Sequence, residues 1–203
     1  MLKEKARIAV FVSGGGTNLQ ALIDSQNSGI ISHGEIVLVV ASNREAYALE
    51  RSKNACIEAV PVVKKECADQ LEFENKIIDL LTAKKIDLIV LAGFMTILTE
   101  HFTSKYPERI INVHPALIPS FCGKGYYGLR VHEEALKYGV KVTGATVHFV
   151  NEIPDGGKII MQKAVNIEEG DTPQVLQRRV MEQAEWIILP QSVEMVCKGI
   201  VQA

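Results

Sequence analysis

Asn112 and His114 close the run Ile110-Ile111-Asn112-Val113-His114-Pro115-Ala116-Leu117-Ile118-Pro119-Ser120, where an apolar strand gives way to polar residues and two prolines. Residues two apart on a strand face the same side, so this spacing presents an amide and an imidazole to one spot. Pro115 holds His114 extended, because the residue before a proline is pushed out of the helical region. An amide donor beside an imidazole at the carboxyl end of a buried strand suits a reaction in which a carbonyl oxygen gains negative charge. Taken alone, the segment reads better as a strand ending in a proline-punctuated loop. The motifs around it change that reading.

Ser13-Gly14-Gly15-Gly16-Thr17-Asn18 lies between an apolar run and a helical one. Glycines let backbone come close to a ligand, and a helix start offers free N–H groups and partial positive charge, which together make a phosphate cradle. The dinucleotide fingerprint is missing, because its third glycine would fall on Leu19, and there is no P-loop lysine. A tight glycine turn without a ligand explains this loop equally well. Leu91-Ala92-Gly93-Phe94-Met95 ends another strand, and Phe94 and Met95 could line an apolar slot, although core packing alone also accounts for them. His148 lies within a strand pattern, where a histidine is more often a hydrogen-bonded core residue than a catalyst. Asp155, in Pro154-Asp155-Gly156-Gly157, reads either as a turn former or as a carboxylate partner that raises the pKa of His114. His33, His101 and His132 read as surface or loop histidines, and the five histidines lack metal-ligand spacing.

The elements that must position these residues alternate. Strands are expected at Ala6–Ser13, Glu35–Ala41, Glu58–Val63, Asp87–Ala92 and Arg109–Val113, with helices at Asn18–Ser28, Ala46–Ala55 and Gln70–Ala83. Continuous apolar strands separated by helices predict a parallel sheet covered on both faces. After Pro119 a helix is expected at Leu129–Tyr138, then strands at Lys141–Val150 and Lys158–Val165, whose short connection requires antiparallel pairing. Thr172 and Pro173 predict a helix start, with Leu176, Val180, Ala184, Ile187 and Ile188 as its apolar stripe. Pro190 is expected to interrupt this helix and begin a short final one. The whole reads as one α/β domain over residues 1–203, Rossmann-like and mostly parallel, with a mixed C-terminal part.

Composition is that of an ordinary soluble protein: 203 residues, 47% hydrophobic, 23% charged and a net charge of −2. No basic stripe suggests nucleic acid, and no stretch suggests a membrane span or a signal peptide at Met1-Leu2-Lys3-Glu4-Lys5. The four cysteines are too scattered for a zinc site or a disulfide scaffold, so reduced thiols and a cytoplasmic location are expected.

Taken together, V-S-G-G-G-T-N-L-Q-A-L, L-A-G-F-M, I-N-V-H-P-A-L-I-P-S-F and G-A-T-V-H-F-V with the later D-G-G resemble the glycinamide ribonucleotide transformylases (phosphoribosylglycinamide formyltransferases), collinearly from about Ile8 to Pro190. The resemblance implies the formyltransferase fold. It also implies transfer of a formyl group from 10-formyltetrahydrofolate, a co-substrate, to the glycyl amine of glycinamide ribonucleotide in purine biosynthesis, without a metal. By position it implies Asn112, His114 and Asp155 as catalytic, with His148 supporting. Gly16, Thr17 and Asn18 fall on the substrate phosphate loop, and Glu185, or less well Glu182, on a ribose-binding glutamate. Phe94, Met95, Ile97, Asn151, Glu152 and Asp155 fall on the folate slot. The implied partners are the two small molecules, to a monomer or homodimer, with neither nucleic acid nor membrane.

Three departures stand out: Gln70 where many members carry a phosphate-binding arginine, a long loop Phe121–Gly128, and Lys158 where proline commonly follows the glycines. Lys64 or Lys65 could compensate for Gln70, or the glycine loop could do more of the work. The rival readings are formyltetrahydrofolate hydrolase, methionyl-tRNA formyltransferase, a non-catalytic folate- or phosphate-binding module, and a nicotinamide oxidoreductase. Length and motifs disfavour the first two, the complete Asn112, His114 and Asp155 set disfavours the third, and the missing fingerprint the last.

Overall fold

A computed structural model describes residues 5–202; Met1–Glu4, on which the expected absence of a signal peptide bears, and Ala203 lie outside the described residues. Among the described residues, seven strands form one sheet: β1 (Ala6–Val12), β2 (Gly34–Ala41), β3 (Ala59–Pro61), β4 (Leu88–Leu91), β5 (Ile110–His114), β6 (Val142–Phe149) and β7 (Ile159–Asn166). Their order is β3-β2-β1-β4-β5-β6-β7. The first five strands pair in parallel, and β6 and β7 are antiparallel, as expected. The helices are α1 (Thr17–Asn27), α2 (Ala48–Asn54), α3 (Gln70–Ala83), α4 (Glu100–Thr103), α5 (Leu129–Tyr138), α6 (Pro173–Val180) and α7 (Trp186–Gln202).

Alternation along β1 builds both layers. Ile8, Val10 and Val12 pack with Leu19, Leu22 and Ile23 of α1 and with Leu176, Val180, Leu189 and Val193 of α6 and α7. Ala9 and Phe11 face the opposite layer, with Phe73, Ile77 and Leu81 of α3 and Phe102 of α4. Phe11, Phe73 and Phe102 are wholly buried, each contributing about 1.5–3 kcal/mol relative to exposure. The start of α3 is set locally: the Asp69 carboxylate accepts the Glu72 N–H at 2.8 Å, a cap that satisfies an otherwise free helix donor.

Two expectations need correction. Pro190 does not break the last helix, which runs 17 residues through it. The irregularity lies earlier, in a widened π turn at Met181–Glu185. Pro190 follows closely behind that turn, as the fifth residue of α7, where helix hydrogen bonding has only just resumed. The wider turn also changes the phase of the apolar stripe. Leu176, Val180, Ala184 and Ile188 are buried, but Ile187 is exposed.

Because β2 lies on one side of β1 and β4 on the other, the chain leaving these strands departs to opposite sides. Crevices at such a switch point, at the carboxyl ends of the strands, are where open α/β sheets bind ligands. The loops after β1, β4 and β5 all open there.

Candidate active site

In the β5–β6 ladder Asn112 stands directly opposite His148, and His114 opposite Thr146. This pairing brings Asn112 Nδ2 to 3.2 Å from His148 Nε2. His148 Nδ1 donates to the Phe149 carbonyl at 2.8 Å. The neutral ring therefore accepts from Asn112 through Nε2, whereas the protonated ring can donate that nitrogen's proton to Asp155. Asp155 lies between the two imidazoles: its Oδ2 is 3.5 Å from His114 Nδ1 and its Oδ1 is 3.5 Å from His148 Nε2. The structure thus brings Asn112, His114, His148 and Asp155 together, as the motifs implied.

The turn that delivers Asp155 requires its glycines. Asp155 has a positive φ of 56°, which aspartate tolerates better than most residues. A Cβ on Gly157 would lie 1.7 Å from the Phe149 carbonyl oxygen, so no side chain fits there. Burial alone would raise the pKa of Asp155, but a hydrogen bond from His148, the charge of His114 and the Gly123 N–H outweigh it, and the carboxyl lies below its ordinary value.

His114 departs from expectation. Burial lowers its pKa below the ordinary imidazole value, although the Asp155 charge and the Phe121 carbonyl pull upward. Asp155 does exert the expected pull, but removal of the ring from water is the larger effect. His114 Nε2 donates to the Phe121 carbonyl at 2.8 Å, and the Gly123 N–H donates to Asp155 Oδ2 at 2.8 Å. The long loop therefore touches both members of the pair through its backbone, which side-chain motifs could not reveal.

His132 is no surface residue: it is wholly buried on α5. Among the described residues neither of its ring nitrogens has a hydrogen-bond partner, and burial, with His114 nearby, lowers its pKa to about 4. Its spacing to Leu129, Ala135 and Leu136 is helical and apolar, a pattern that could have placed it inside.

A cleft opens beside this cluster. Its lining includes Phe94, Met95, Ile97, Asn151, Glu152 and Asp155, all six residues assigned to a folate slot, together with Asn112 and His148. Met95, Ile97 and Ile153 are 52%, 64% and 57% exposed on its walls, an unusual concentration of open apolar surface suited to a flat ligand. Among the described residues, no group of three or more His, Cys, Asp or Glu side chains is arranged to hold a metal ion.

The glycine turn lies across the switch point. Gly16 has a φ of 69°, and a Cβ there would lie 2.7 Å from the Ala48 Cβ, so glycine is required. Arg51 supports the turn from behind, donating from Nε to the Gly15 carbonyl at 2.8 Å. Thr17 begins α1, and Asn18 Nδ2 donates to Glu185 Oε2 at 2.7 Å. Burial, only partly offset by Asn18, raises the pKa of Glu185 to about 7. The Asn18 Oδ1 is buried and accepts no hydrogen bond among the described residues. Glu182 instead is exposed and pairs with Arg178 at 2.7 Å, away from the turn. Gln70 donates through Nε2 to Glu74 at 2.6 Å and to the Ile97 carbonyl at 3.2 Å. It is thus tied to the cleft wall, while Lys64 and Lys65 are exposed on a short turn after β3.

A family model described as formyl transferase matches residues 6–193. The chain is 40% identical over 193 residues to phosphoribosylglycinamide formyltransferase of Haemophilus influenzae, covering 95% of this chain and 88% of the relative. It is 42% identical over 200 residues to the trifunctional purine biosynthetic protein adenosine-3 of Homo sapiens, covering 98% of this chain and 19% of that protein. It therefore spans about a fifth of that longer relative's length. Glycinamide ribonucleotide transformylase 1 from Symbiobacterium toebii superposes with a TM-score of 0.90 at 37% identity, covering 97% of this chain and 89% of that one. The family and the fold implied by the motifs are both borne out. The chain belongs to the formyl transferase family.

Proposed function

We propose that this chain transfers the formyl group of 10-formyltetrahydrofolate to the glycyl amine of glycinamide ribonucleotide, giving N-formylglycinamide ribonucleotide and tetrahydrofolate in purine biosynthesis. The observation that carries this reading is Asp155 between two imidazoles, beside Asn112, at a cleft with open apolar walls. The relatives' names point the same way.

In this reading the cleft holds the formyl donor, and the turn at Gly16, Thr17 and Asn18 holds the ribonucleotide phosphate through backbone N–H groups at the start of α1. Glu185 and the free Asn18 Oδ1 accept hydrogen bonds from the sugar hydroxyls. The neutral amine nitrogen forms a bond to the formyl carbon, and the carbonyl π pair moves onto oxygen. Asn112 donates to that oxyanion. His114 joins it once the Phe121 carbonyl releases Nε2. Asp155, kept ionised by its donors, takes the proton from the nitrogen that has attacked and passes it, directly or through water, to the departing folate nitrogen. The carbon–nitrogen bond to the folate then breaks with its electron pair on that nitrogen, and the carbonyl reforms. Holding two reactants together can remove up to about 7–11 kcal/mol of barrier. The four free cysteines suit a reducing compartment, and we place the reaction in the cytoplasm.

Absorbance of the formyl donor, followed with and without glycinamide ribonucleotide, tests this. Deformylation that needs the ribonucleotide and disappears in His114→Ala is expected. Deformylation without it would reassign the chain as a hydrolase. Tight folate binding without turnover would favour a regulatory module.

A further inference from the structure

The two ligand loops leave neighbouring strands, and little backbone pairing continues beyond the sheet. In the β1–β4 register Phe11 pairs with Leu91, and the Ala92 N–H donates to the Phe11 carbonyl at 2.9 Å. From there one chain enters the glycine turn, and the other passes Gly93, with a φ of 75°, into the cleft wall. Ser13 bridges the gap. Its Oγ accepts the Met95 backbone N–H at 2.8 Å and lies 2.7 Å from Ser42 Oγ. Ser42 is itself fixed, donating its backbone N–H to the Val12 carbonyl at 3.0 Å. A serine hydroxyl has one donor and two acceptor sites, so one side chain can serve both neighbours. The chain segments that follow β2, β1 and β4 are thereby joined through a single oxygen.

We propose that Ser13 is a positioning residue that sets the spacing between the two substrates, by tying the start of the glycine turn to the backbone of the cleft wall. The proposal rests on the formyl-transfer reading above. Neighbouring strands are about 4.8 Å apart, whereas the reacting nitrogen and carbon must approach to about 3–3.5 Å. An amide pointing from one loop to a hydroxyl on the other fixes this separation where the sheet no longer does. Gln70 and Glu74 hold the far end of the same wall, Glu74 accepting from the Thr99 N–H and hydroxyl at 2.7 Å each. Ser13 holds the end nearest the other substrate. Each loop would still bind its own ligand without this tie, but the two ligands would be poorly aligned.

Ser13→Ala and Ser13→Thr, assayed with both substrates varied and by thermal melting, test the tie. Alanine is expected to lower kcat roughly tenfold to hundredfold, the scale of a misplacement of about 1 Å, with both KM values near wild type. Threonine keeps the hydroxyl and should restore most of the rate. Should the alanine variant not fold, Ser13→Cys, whose thiol accepts weakly, carries the same expectation. Unchanged kcat in the alanine variant overturns the proposal. So does a loss shared equally by kcat, both KM values and melting temperature without rescue by threonine, which would mark a merely structural role. Wild-type turnover is the control: its absence refutes the function, whereas normal wild-type turnover with an unaffected alanine variant refutes the tie alone.

Discussion

Two carboxylates, the partly buried Asp155 and the buried Glu185, are shifted in opposite directions. Asp155 sits among two imidazoles and the Gly123 N–H, and its pKa falls despite burial. Among the described residues Glu185 has one hydrogen-bonding partner, the neutral Asn18 amide, and its pKa rises to about 7. Burial penalises the fully enclosed Glu185 more than the partly buried Asp155, and the number and charge of the donors widen that difference until the signs are opposite. Hydrogen bonds to charged groups contribute about 1.5–3 kcal/mol each, and Asp155 has more of them. On the proposed function, charge is maintained where a proton moves and disfavoured where a carboxyl accepts from sugar hydroxyls.

Asp155→Asn should break the comparison most severely. It preserves size but removes the charge between the rings, and kcat should fall by roughly 10²–10⁴-fold, the usual contribution of a positioned acid or base. Steady-state kinetics with both substrates varied should find KM nearly unchanged; near-normal turnover would remove Asp155 from the proton path. Asn112→Ala comes next. Loss of one oxyanion donor costs about 3 kcal/mol, on the order of a hundredfold in kcat. Single-turnover rates read this directly, and a rate close to wild type would leave the oxyanion without its assigned amide.

Glu185→Gln sharpens the other side. The folded-state pKa is about 7 against an ordinary 4.5. Between those values the folded protein keeps a proton that the unfolded chain releases, so stability falls as pH rises through the window and levels off above it. The rise from 4.5 to about 7 corresponds to about 3 kcal/mol. Glutamine carries no such penalty. In urea titrations the variant should match wild type below the window and exceed it by up to that amount above. An advantage independent of pH would mean that Glu185 is not held protonated. The same variant should raise the KM for the ribonucleotide and leave that for the formyl donor alone. Asp155 has the opposite linkage: its depressed pKa adds stability above the ordinary value of 3.8, which is lost on acidification through the lower folded pKa.

Much of the frame was legible in the residues. The α3 limits at Gln70 and Ala83 match expectation because Asp69 caps the start and the apolar period is sustained. The glycine turn was legible because Gly16 must adopt a conformation and an approach that a side chain forbids. Strand spacing put Asn112 beside His114 and left Asp155 open between a turn former and a partner of His114, and the family resemblance favoured the partner; the β5–β6 register accounts for the first pair and for His148, and the glycine turn for Asp155. Side-chain environment was harder to read. The net fall in the His114 pKa depends on how the Phe121 loop closes over it, which no local spacing encodes, whereas the burial of His132 was hinted at by its helical, apolar spacing. The contact between Asn18 and Glu185 joins residues 167 positions apart, and the π turn that ends at Glu185 has no signature among its five residues.

That turn has a consequence for how far this chain can be edited. A widened turn is in effect one residue inserted into a helix, and each residue advances a helix by about 100°. Deleting one residue from Met181–Gln183 would relax the turn into ordinary helix and swing one flank relative to the other by that angle. Either Glu185 would be carried away from Asn18, or the buried row Leu176 and Val180 would be rotated out of the core. Conservative substitutions there should be absorbed, whereas a change of length by one should not, so the segment works as an indexing step between a packed scaffold and the carboxyl proposed to bind the sugar.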